Sequence, residues 1–272
     1  MTMMVERVLE LVHWISEREQ IRKLKEAGAP TPWTQDRILR NYRFCNVHRE
    51  DDRVTRWIAD YWREPHRDNP DIWFWMLIAR LLNQPESLAC LPEPSSKWDV
   101  EKHFLKPLLI HRDEHKGKVF NAAYIVSTNG KAQDKVRYVA GDVLVPAWNR
   151  RGVVRPKGGE SLEKFASRLV ELNGVAGFMA GQVVADVRYT TSLEGAPDAR
   201  TFAISGPGSR RGLNRIYGRP LEARWNESEW HEKLIALQHT LIVNHSIEDA
   251  CGELHAQDLQ NCLCELDRKS VV

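Results

Sequence analysis

Residues 172–218 decide the fold: they begin with LNGVAGFMAGQVVADVRYT (172–190) and end with FAISGPGSRRGLNRIYG (202–218). Leu-x-Gly-Val-x-Gly between two helical patterns is typical of a helix-hairpin-helix, because glycine accepts a left-handed turn and lets the backbone approach a phosphate. A tight turn without a ligand is the alternative interpretation. We therefore predict a helix-hairpin-helix over residues 161–190 that holds a DNA backbone.

The two helices of this hairpin follow from the spacing of their side chains. SLEKFASRLVEL (161–172) has apolar residues at helical intervals. The second helix is expected to begin at Gly177, where steps of four residues align Phe178, Gln182 and Asp186. We expect this face, with its amide and its carboxylate, to point the same way as the hairpin.

A second candidate for phosphate binding is the basic segment 206–219, which contains four arginines and no acidic residue. Its GPG sequence is followed by Ser209, a residue type that often caps helix N-termini. The N-terminus of a helix attracts anions, and arginines neutralise phosphates. The residues predicted to contact DNA are Gly174, Val175, Gly177, Ser209, Arg210, Arg211, Asn214 and Arg215.

Four motifs carry a family resemblance: YRFCNVHREDDRVTRWI (42–58), GVAGFMAGQVVADVRYT (174–190), GPGSRRGLNR (206–215) and DLQNCLCELD (258–267). In this order they resemble the helical family called alpha-glutamyl/putrescinyl thymine pyrophosphorylase. That family also occurs as the helical domain of phage hydroxymethyluracil DNA kinases, and it includes bacterial anti-phage glycosylases that excise glucosylated hydroxymethylcytosine. More broadly, the hairpin and the helix after the loop resemble the helix-hairpin-helix superfamily of base-excision DNA glycosylases.

The resemblance implies a mainly α fold that is helix-hairpin-helix DNA glycosylase-like, with two helical lobes around a cleft. A single glycosylase-like unit would span residues 1–272. One lobe would combine residues 30–115 with 220–272, and the other would comprise residues 116–219. No internal repeat is visible that would argue for another architecture.

Two further stretches bear on the fold. IWFWMLIARLLN (72–83) is apolar on all sides, which predicts a helix buried in the core. Residues 119–130 and 135–146 have strand character and are separated by a polar turn region. A small β-hairpin insertion and a buried helix are both open interpretations of these residues.

The chemistry that the resemblance implies is cleavage of an N-glycosidic bond after the nucleotide has been flipped out of the duplex. A carboxylate near the anomeric carbon can stabilise the oxocarbenium-like transition state or deprotonate the attacking water. Asp186 is the first candidate for this role, and Asp198 and Asp258 compete with it. The structural alternative for Asp186 is an ion pair with an arginine such as Arg188.

The base pocket is predicted mainly from the resemblance. A junction between the early helices supplies an amide in that superfamily, which points to Asn46. Arg49, Phe178 and Gln182 complete the predicted pocket. Phe178 stands where the bifunctional enzymes carry a Schiff-base lysine, which implies a monofunctional enzyme. The alternatives are that Asn46 caps a helix and that Arg49 pairs with Glu50 at the surface.

We expect the function to be excision of a hypermodified pyrimidine, by resemblance alpha-glucosyl-hydroxymethylcytosine, from phage DNA. This DNA N-glycosylase would leave abasic sites and act in antiviral defence. A transferase or pyrophosphorylase acting on modified hydroxymethyluracil in DNA is one alternative, and a non-catalytic DNA-binding module is another. The sequence contains no G-x-x-x-x-G-K-[ST] phosphate-binding loop.

Composition sets the remaining expectations. With 42% hydrophobic and 28% charged residues, the 272-residue chain is predicted to be soluble and globular, and its net charge of +2 neither requires nor excludes nucleic acid. Five cysteines without a disulfide framework favour a reducing cytoplasm, and we expect no metal and no cofactor. The sequence shows neither a signal peptide nor an apolar run of about 18 residues, so we expect no membrane contact. The expected protein is a cytoplasmic monomer that binds double-stranded DNA with modified bases.

Overall fold

Helices and turns account for the regular backbone hydrogen bonding in the described part of the chain. The structure is a computed structural model that describes residues 2–122 and 126–270. Within these two ranges it contains helices and turns and no β-strand, so the predicted mainly α fold is confirmed. No helix in the same ranges is both long enough and apolar enough to cross a membrane.

The described residues form a series of α-helices, with a few short π-helical stretches and 3-10 turns among them. The α-helices are α1 (Thr2–Glu26), α2 (Arg37–Asn41), α3 (Arg53–Ile58), α4 (Ile72–Leu82), α5 (Pro85–Leu88), α6 (Lys106–Asp113), α7 (Lys135–Tyr138), α8 (Val145–Asn149), α9 (Arg151–Val154), α10 (Leu162–Leu169), α11 (Gly177–Val187), α12 (Pro207–Tyr217), α13 (Glu227–His245), α14 (Ile247–Cys251) and α15 (Ala256–Lys269). The π-helical stretches are Ala59–Arg63, Glu101–Leu105 and Val139–Leu144, and the 3-10 turns are Arg49–Asp51 and Glu64–His66.

The chain divides into two compact units. Unit 1 comprises Met1–Asp52 and Arg200–Val272, and unit 2 comprises Arg53–Ala199. These boundaries differ from those of the lobes expected from the sequence, which divide the chain at residues 115 and 219. The glycosylase-like arrangement of two lobes stays a prediction.

The core of unit 1 is built from the apolar faces of α1, α12, α13 and α15. Trp14, Leu213, Leu237 and Leu263 are representative side chains of this buried cluster. Helices α12 and α15 approach closely because position 212 is glycine: a Cβ atom there would lie 2.2 Å from the carbonyl oxygen of Leu263. The basic motif of α12 and the DLQNCLCELD motif of α15 are thereby packed against each other.

The core of unit 2 is centred on α4. All eleven residues of Ile72–Leu82 are buried, which confirms the helix predicted from the apolar run over 72–83. Helix α11 packs against α4 and buries Val183, Val184 and Val187. Each fully buried aliphatic side chain contributes about 1.5–3 kcal/mol, so this helix pair is a major source of stability for the unit.

The β-hairpin interpretation is wrong for residues 135–146. These residues form α7, a π-helical stretch and the start of α8. Val136, Val139 and Val143 are buried at intervals of three and four residues, so their β-branched side chains follow a helical period and not a strand period. The other stretch with strand character is residues 119–130. Within it, residues 119–122 and 126–130 are irregular or form turns, and residues 123–125 lie outside the described residues.

Candidate nucleic-acid interface

The predicted helix-hairpin-helix turn is present in unit 2. Helix α10 ends at Leu169, α11 begins at Gly177, and Gly174 between them has φ +76°. A Cβ atom at this glycine would lie 2.7 Å from a methyl group of Val143, so both the backbone angle and the space require glycine. Val175 is buried below the turn, whereas Gly174 is exposed. The side chain of Val175 therefore anchors the turn, and the exposed backbone beside it is available to a ligand.

Asp198 caps the first helix of the hairpin. Its two carboxylate oxygens accept hydrogen bonds from the backbone N–H groups of Leu162, at 2.7 Å, and Glu163, at 3.0 Å. Ser161 also caps this helix by accepting a hydrogen bond from the N–H of Lys164. A carboxylate at a helix N-terminus is stabilised by the helix dipole. This geometry gives Asp198 a structural role, and its catalytic role stays a prediction.

Asp186 lies in the core of unit 2 and is paired with Arg80 of α4. The Nε atom of Arg80 donates to Asp186 at 2.5 Å, and a second guanidinium nitrogen donates to the other carboxylate oxygen. The exposed fractions are 1% for Arg80 and 0% for Asp186. Arg80 also donates to the side chains of Thr55 and Asn83, both at 3.2 Å. The guanidinium is thus satisfied on several sides by its own unit.

The ion pair expected for Asp186 therefore exists, and Arg80 is the partner that the structure shows. Arg188 donates to the carbonyl oxygen of Ala199 at 2.7 Å. The predicted common face of α11 also changes its environment along the helix: Phe178 is 48% exposed, Gln182 is partly buried, and Asp186 is fully buried. The catalytic assignment of Asp186 and the pocket roles of Phe178 and Gln182 stay predictions.

A polar cluster in unit 1 joins two of the motifs that lie far apart in sequence. His48 Nδ1 is 3.3 Å from a carboxylate oxygen of Asp258, and His48 Nε2 is 2.5 Å from the carbonyl oxygen of Cys251. Because both partners only accept hydrogen bonds, both ring nitrogens must donate, which requires the imidazolium form. Asp258 and the Cys251 carbonyl raise the pKa of His48 to about 11.

His48 was missed as a candidate because its partners are more than 200 residues away in the sequence. The available signal was its position inside the motif YRFCNVHRE, with the candidate Asp258 in another motif. Asp258 also accepts a hydrogen bond from the backbone N–H of His255 at 3.3 Å, which caps α15. This carboxylate is therefore paired with a charged imidazolium and held at a helix N-terminus, while its catalytic role stays a prediction.

Asn46 lies beside this cluster and is held mainly through its backbone. Its N–H donates to Asp52 at 3.0 Å, and its carbonyl oxygen accepts from Asn261 at 3.1 Å. Its side-chain amide donates to the carbonyl oxygen of Asp51 at 2.8 Å. Burial raises the pKa of Asp52 despite the hydrogen bond from Asn46. Arg49 lies on the adjoining 3-10 turn and is partly buried, so the structure brings these two predicted pocket residues into one segment of unit 1.

The predicted phosphate-binding helix α12 begins earlier than expected. Gly206 is the N-cap residue and Ser209 is the third helical residue, so the assignment of Ser209 as N-cap is wrong. Its hydroxyl accepts a hydrogen bond from the N–H of Gly206 at 3.0 Å, which still satisfies the start of the helix. Asn214 is buried, and its amide donates to the carbonyl oxygens of Leu221 and Ala223. Both polar residues therefore stabilise the helix and the loop that follows it.

The arginines of α12 are held by carboxylates of unit 1. Arg210 pairs with Glu227 at 2.7 Å on the surface. Arg211 and Arg215 share the buried carboxylate of Asp267 on α15, at 2.8 and 3.1 Å. A pair at the surface can exchange its partner for a phosphate more readily than a pair on a buried carboxylate. DNA contact by these residues stays a prediction.

No group of three or more histidine, cysteine, aspartate or glutamate side chains in the part of the chain that the structure describes has the arrangement of a metal site.

The described residues thus form a helical protein of two units that carries a helix-hairpin-helix turn in one unit and an arginine-rich helix in the other. The model of the family described as 5-hmdU DNA kinase, helical domain, matches residues 6–270, and the chain belongs to this family. The expected resemblance to the helical domain of phage hydroxymethyluracil DNA kinases is confirmed by this match. Membership of the glycosylase superfamily stays a prediction.

A curated 5-hmdU DNA kinase from Bacillus phage SP10 is 22% identical to the chain over 273 residues. The aligned region covers 89% of this chain and 41% of the phage protein, so the chain spans about two fifths of the length of its curated relative. No solved structure gives a significant match to the chain.

Proposed function

We propose that the chain recognises 5-hydroxymethyluracil, or a pyrimidine built on it, in DNA and presents that nucleotide for group transfer at its 5-substituent. The observation that carries this proposal is the family match over residues 6–270, which includes both units. The phage relative is named a kinase of 5-hmdU DNA, and 5-hmdU is a thymidine with one added hydroxyl group. Recognition of such DNA is the part of that activity we assign to this chain.

The hairpin supports contact with a DNA backbone. Its turn exposes Gly174 and leads directly into the N-terminus of the eleven-residue helix α11. Backbone N–H groups at a helix N-terminus attract phosphate oxygens, and this contact does not depend on base sequence. The hairpin would therefore position the strand, and selection of the modified base would depend on other residues.

Excision of the base is the second candidate, and the hairpin favours it by resemblance to base-excision glycosylases. In this version the chain removes alpha-glucosyl-hydroxymethylcytosine from phage DNA as a monofunctional glycosylase of antiviral defence. A carboxylate must then reach the sugar. All three candidate aspartates already have partners: Asp186 is enclosed with Arg80, Asp198 caps α10, and Asp258 is paired with His48 but keeps 13% of its side chain exposed.

The test compares three duplexes of one sequence that differ at a single position: thymine, 5-hydroxymethyluracil or glucosylated hydroxymethylcytosine. Affinity is measured by fluorescence anisotropy. Each duplex is then incubated with the protein, ATP and Mg²⁺, and nucleosides, released bases and abasic sites are quantified by mass spectrometry. We expect at least tenfold tighter binding to 5-hydroxymethyluracil DNA than to thymine DNA. Equal affinities would overturn the proposal, and free modified base with abasic sites would establish excision.

A further inference from the structure

A basic cleft lies within unit 1, between α1 and the segment that follows it, residues 31–46. Its volume is about 650 Å³, and Asn46 lies at its edge. Five cationic side chains line it, and none of the described lining residues is acidic: the five are Arg18, Arg22, Lys25, Arg40 and Arg43. A volume of 300–1,000 Å³ is typical of sites for small ligands, so the cleft is large enough for one nucleotide.

Arg18 is the most informative of these cations because it is buried without an ion-pair partner. It is 4% exposed, and its guanidinium donates to the carbonyl oxygens of Cys45 and Asn46 and lies 3.5 Å from the sulfur of Cys262. Within residues 2–122 and 126–270 it forms no ion pair, and its buried Nε atom has no hydrogen-bond partner. Its charge is offset only in part within unit 1, by an electrostatic interaction with the Asp52 carboxylate and by the Trp14 ring, whose centroid lies 5.4 Å from the guanidinium carbon.

Two of the other cations are exposed at the cleft and also lack an ion-pair partner. Arg40 and Arg43 form no ion pair with any residue that the structure describes. Arg22 differs, since its guanidinium is paired with Glu19 at 2.5 Å and with Asp51 at 3.1 Å. Arg22 therefore contributes little net charge to the cleft, whereas the exposed Arg40 and Arg43 and the buried Arg18 make its lining positive, which favours anions.

Aromatic rings accompany these arginines. The Trp33 indole is fixed by a hydrogen bond from Nε1 to the carbonyl oxygen of Ala29 at 2.7 Å, and the Lys25 ammonium lies 4.9 Å from its ring centroid. Tyr42 also lines the cleft and is 47% exposed. Trp33 is half-buried. Accessible aromatic rings near arginines are the combination by which proteins stack a base and hold its phosphate.

We propose that this cleft binds one nucleotide, with its phosphate on the exposed Arg40 and Arg43, next to the buried charge of Arg18, and its base against Trp33 or Tyr42. The proposal deepens the proposed function and rests on it for the source of the nucleotide, a DNA strand. A free nucleoside monophosphate has the same chemistry and is the other source. Neither the hairpin nor helix α12 contributes to this cleft.

The test uses the full chain and two probes: a fluorescent thymidine decanucleotide followed by anisotropy, and free thymidine monophosphate followed by calorimetry. Arg40→Gln/Arg43→Gln is the main variant, and Trp33→Leu is the second. Arg37→Gln is the matched control, because Arg37 is exposed on the same short helix as Arg40 but does not line the cleft. The exposed positions of Arg40 and Arg43 keep the double variant folded, which circular dichroism verifies.

We expect the double variant to bind the oligonucleotide at least tenfold more weakly. The slope of log K against log salt concentration should become shallower by about 1.4, because two phosphate contacts on a single strand are lost. Trp33→Leu is expected to weaken binding about fivefold or more through lost stacking. Arg37→Gln should match the wild type. Tight binding of the monophosphate that the double variant abolishes would assign the cleft to a free nucleotide. Unchanged affinity of both probes in the double variant would overturn the proposal.

These results are separable from those for the proposed function. The cleft is tested with unmodified thymidine DNA, whereas the proposed function is tested by the preference for 5-hydroxymethyluracil. Binding of thymidine DNA through the cleft without a preference for the modified base would support the cleft proposal and contradict the proposed function. A double variant that binds thymidine DNA as tightly as the wild type and still prefers the modified base would support the function and contradict the cleft.

Discussion

Asp186 and Arg80 form a bidentate ion pair that joins α11 to α4 inside unit 2. The sequence places these residues 106 positions apart, and both are excluded from solvent. Removing one partner of a buried ion pair strongly destabilises a protein because the other charge stays buried without compensation. The pair is therefore a sensitive test of whether Asp186 serves the fold or the chemistry.

The first prediction is that Asp186→Asn destabilises the protein strongly. The amide leaves the Arg80 guanidinium without its counter-charge, which costs about 3–5 kcal/mol of unfolding free energy. Differential scanning calorimetry should then show a clear fall in Tm. Replacing both partners, as in Arg80→Met/Asp186→Leu, should recover much of the loss because no charge remains buried. A folded Asp186→Asn protein with wild-type Tm and abolished activity would instead support the catalytic assignment.

The second prediction concerns pH and His48. The pKa of its imidazole is about 11 in the folded protein and near 6.5 in the unfolded chain, so the protonated form is favoured by folding. The stabilisation of the folded state by protonated His48 is complete below about pH 6.5 and is lost as the pH rises towards 11. Urea unfolding of wild type and His48→Gln at pH 6, 8 and 10 should show a stability difference that shrinks as pH increases. A difference that grows with pH would contradict the ion pair with Asp258.

The third prediction concerns the hairpin turn. Gly174→Ala places a Cβ atom on a backbone with φ +76° and 2.7 Å from Val143, which should cost about 2–3 kcal/mol. The turn must shift, so DNA affinity should fall as well. Gly141→Ala is the control, because an added Cβ there meets no atom within 4 Å and, within a helical stretch, should stabilise the protein by up to about 1 kcal/mol. Equal stabilities of the two variants would show that the turn tolerates a side chain.

The fourth prediction separates the arginines of α12. Arg210 pairs with the exposed Glu227, so Arg210→Ala should change stability by less than about 1 kcal/mol. If Arg210 exchanges this partner for a phosphate, the Arg210→Ala variant binds duplex DNA more weakly. The slope of its log K against log salt concentration is then shallower by about 0.9. Arg211→Ala should lower Tm instead, because Arg211 helps to neutralise the buried Asp267. An unchanged salt dependence for Arg210→Ala would remove that residue from the predicted DNA contacts.

Patterns along the chain were sufficient for the elements whose period or turn chemistry is local. The apolar run over 72–83 predicts a buried helix, and the structure buries Ile72–Leu82 completely. The hairpin over 161–190 follows from apolar spacing and from Gly174, whose positive φ few other residues adopt. Residues 135–146 were ambiguous because valine favours strands, and burial in a helical core decided the outcome.

The sequence by itself determined the helical fold class, the hairpin turn and the list of candidate aspartates. Only the tertiary structure decided what each carboxylate binds: Asp186 pairs with Arg80, Asp198 caps α10, and Asp258 pairs with His48. It also decided that Arg18 is buried in a basic cleft without an ion-pair partner. The physical reason is range: backbone angles and helical periods are set by neighbours within a few residues, whereas the charge state of a side chain depends on partners that only folding brings within about 3–4 Å.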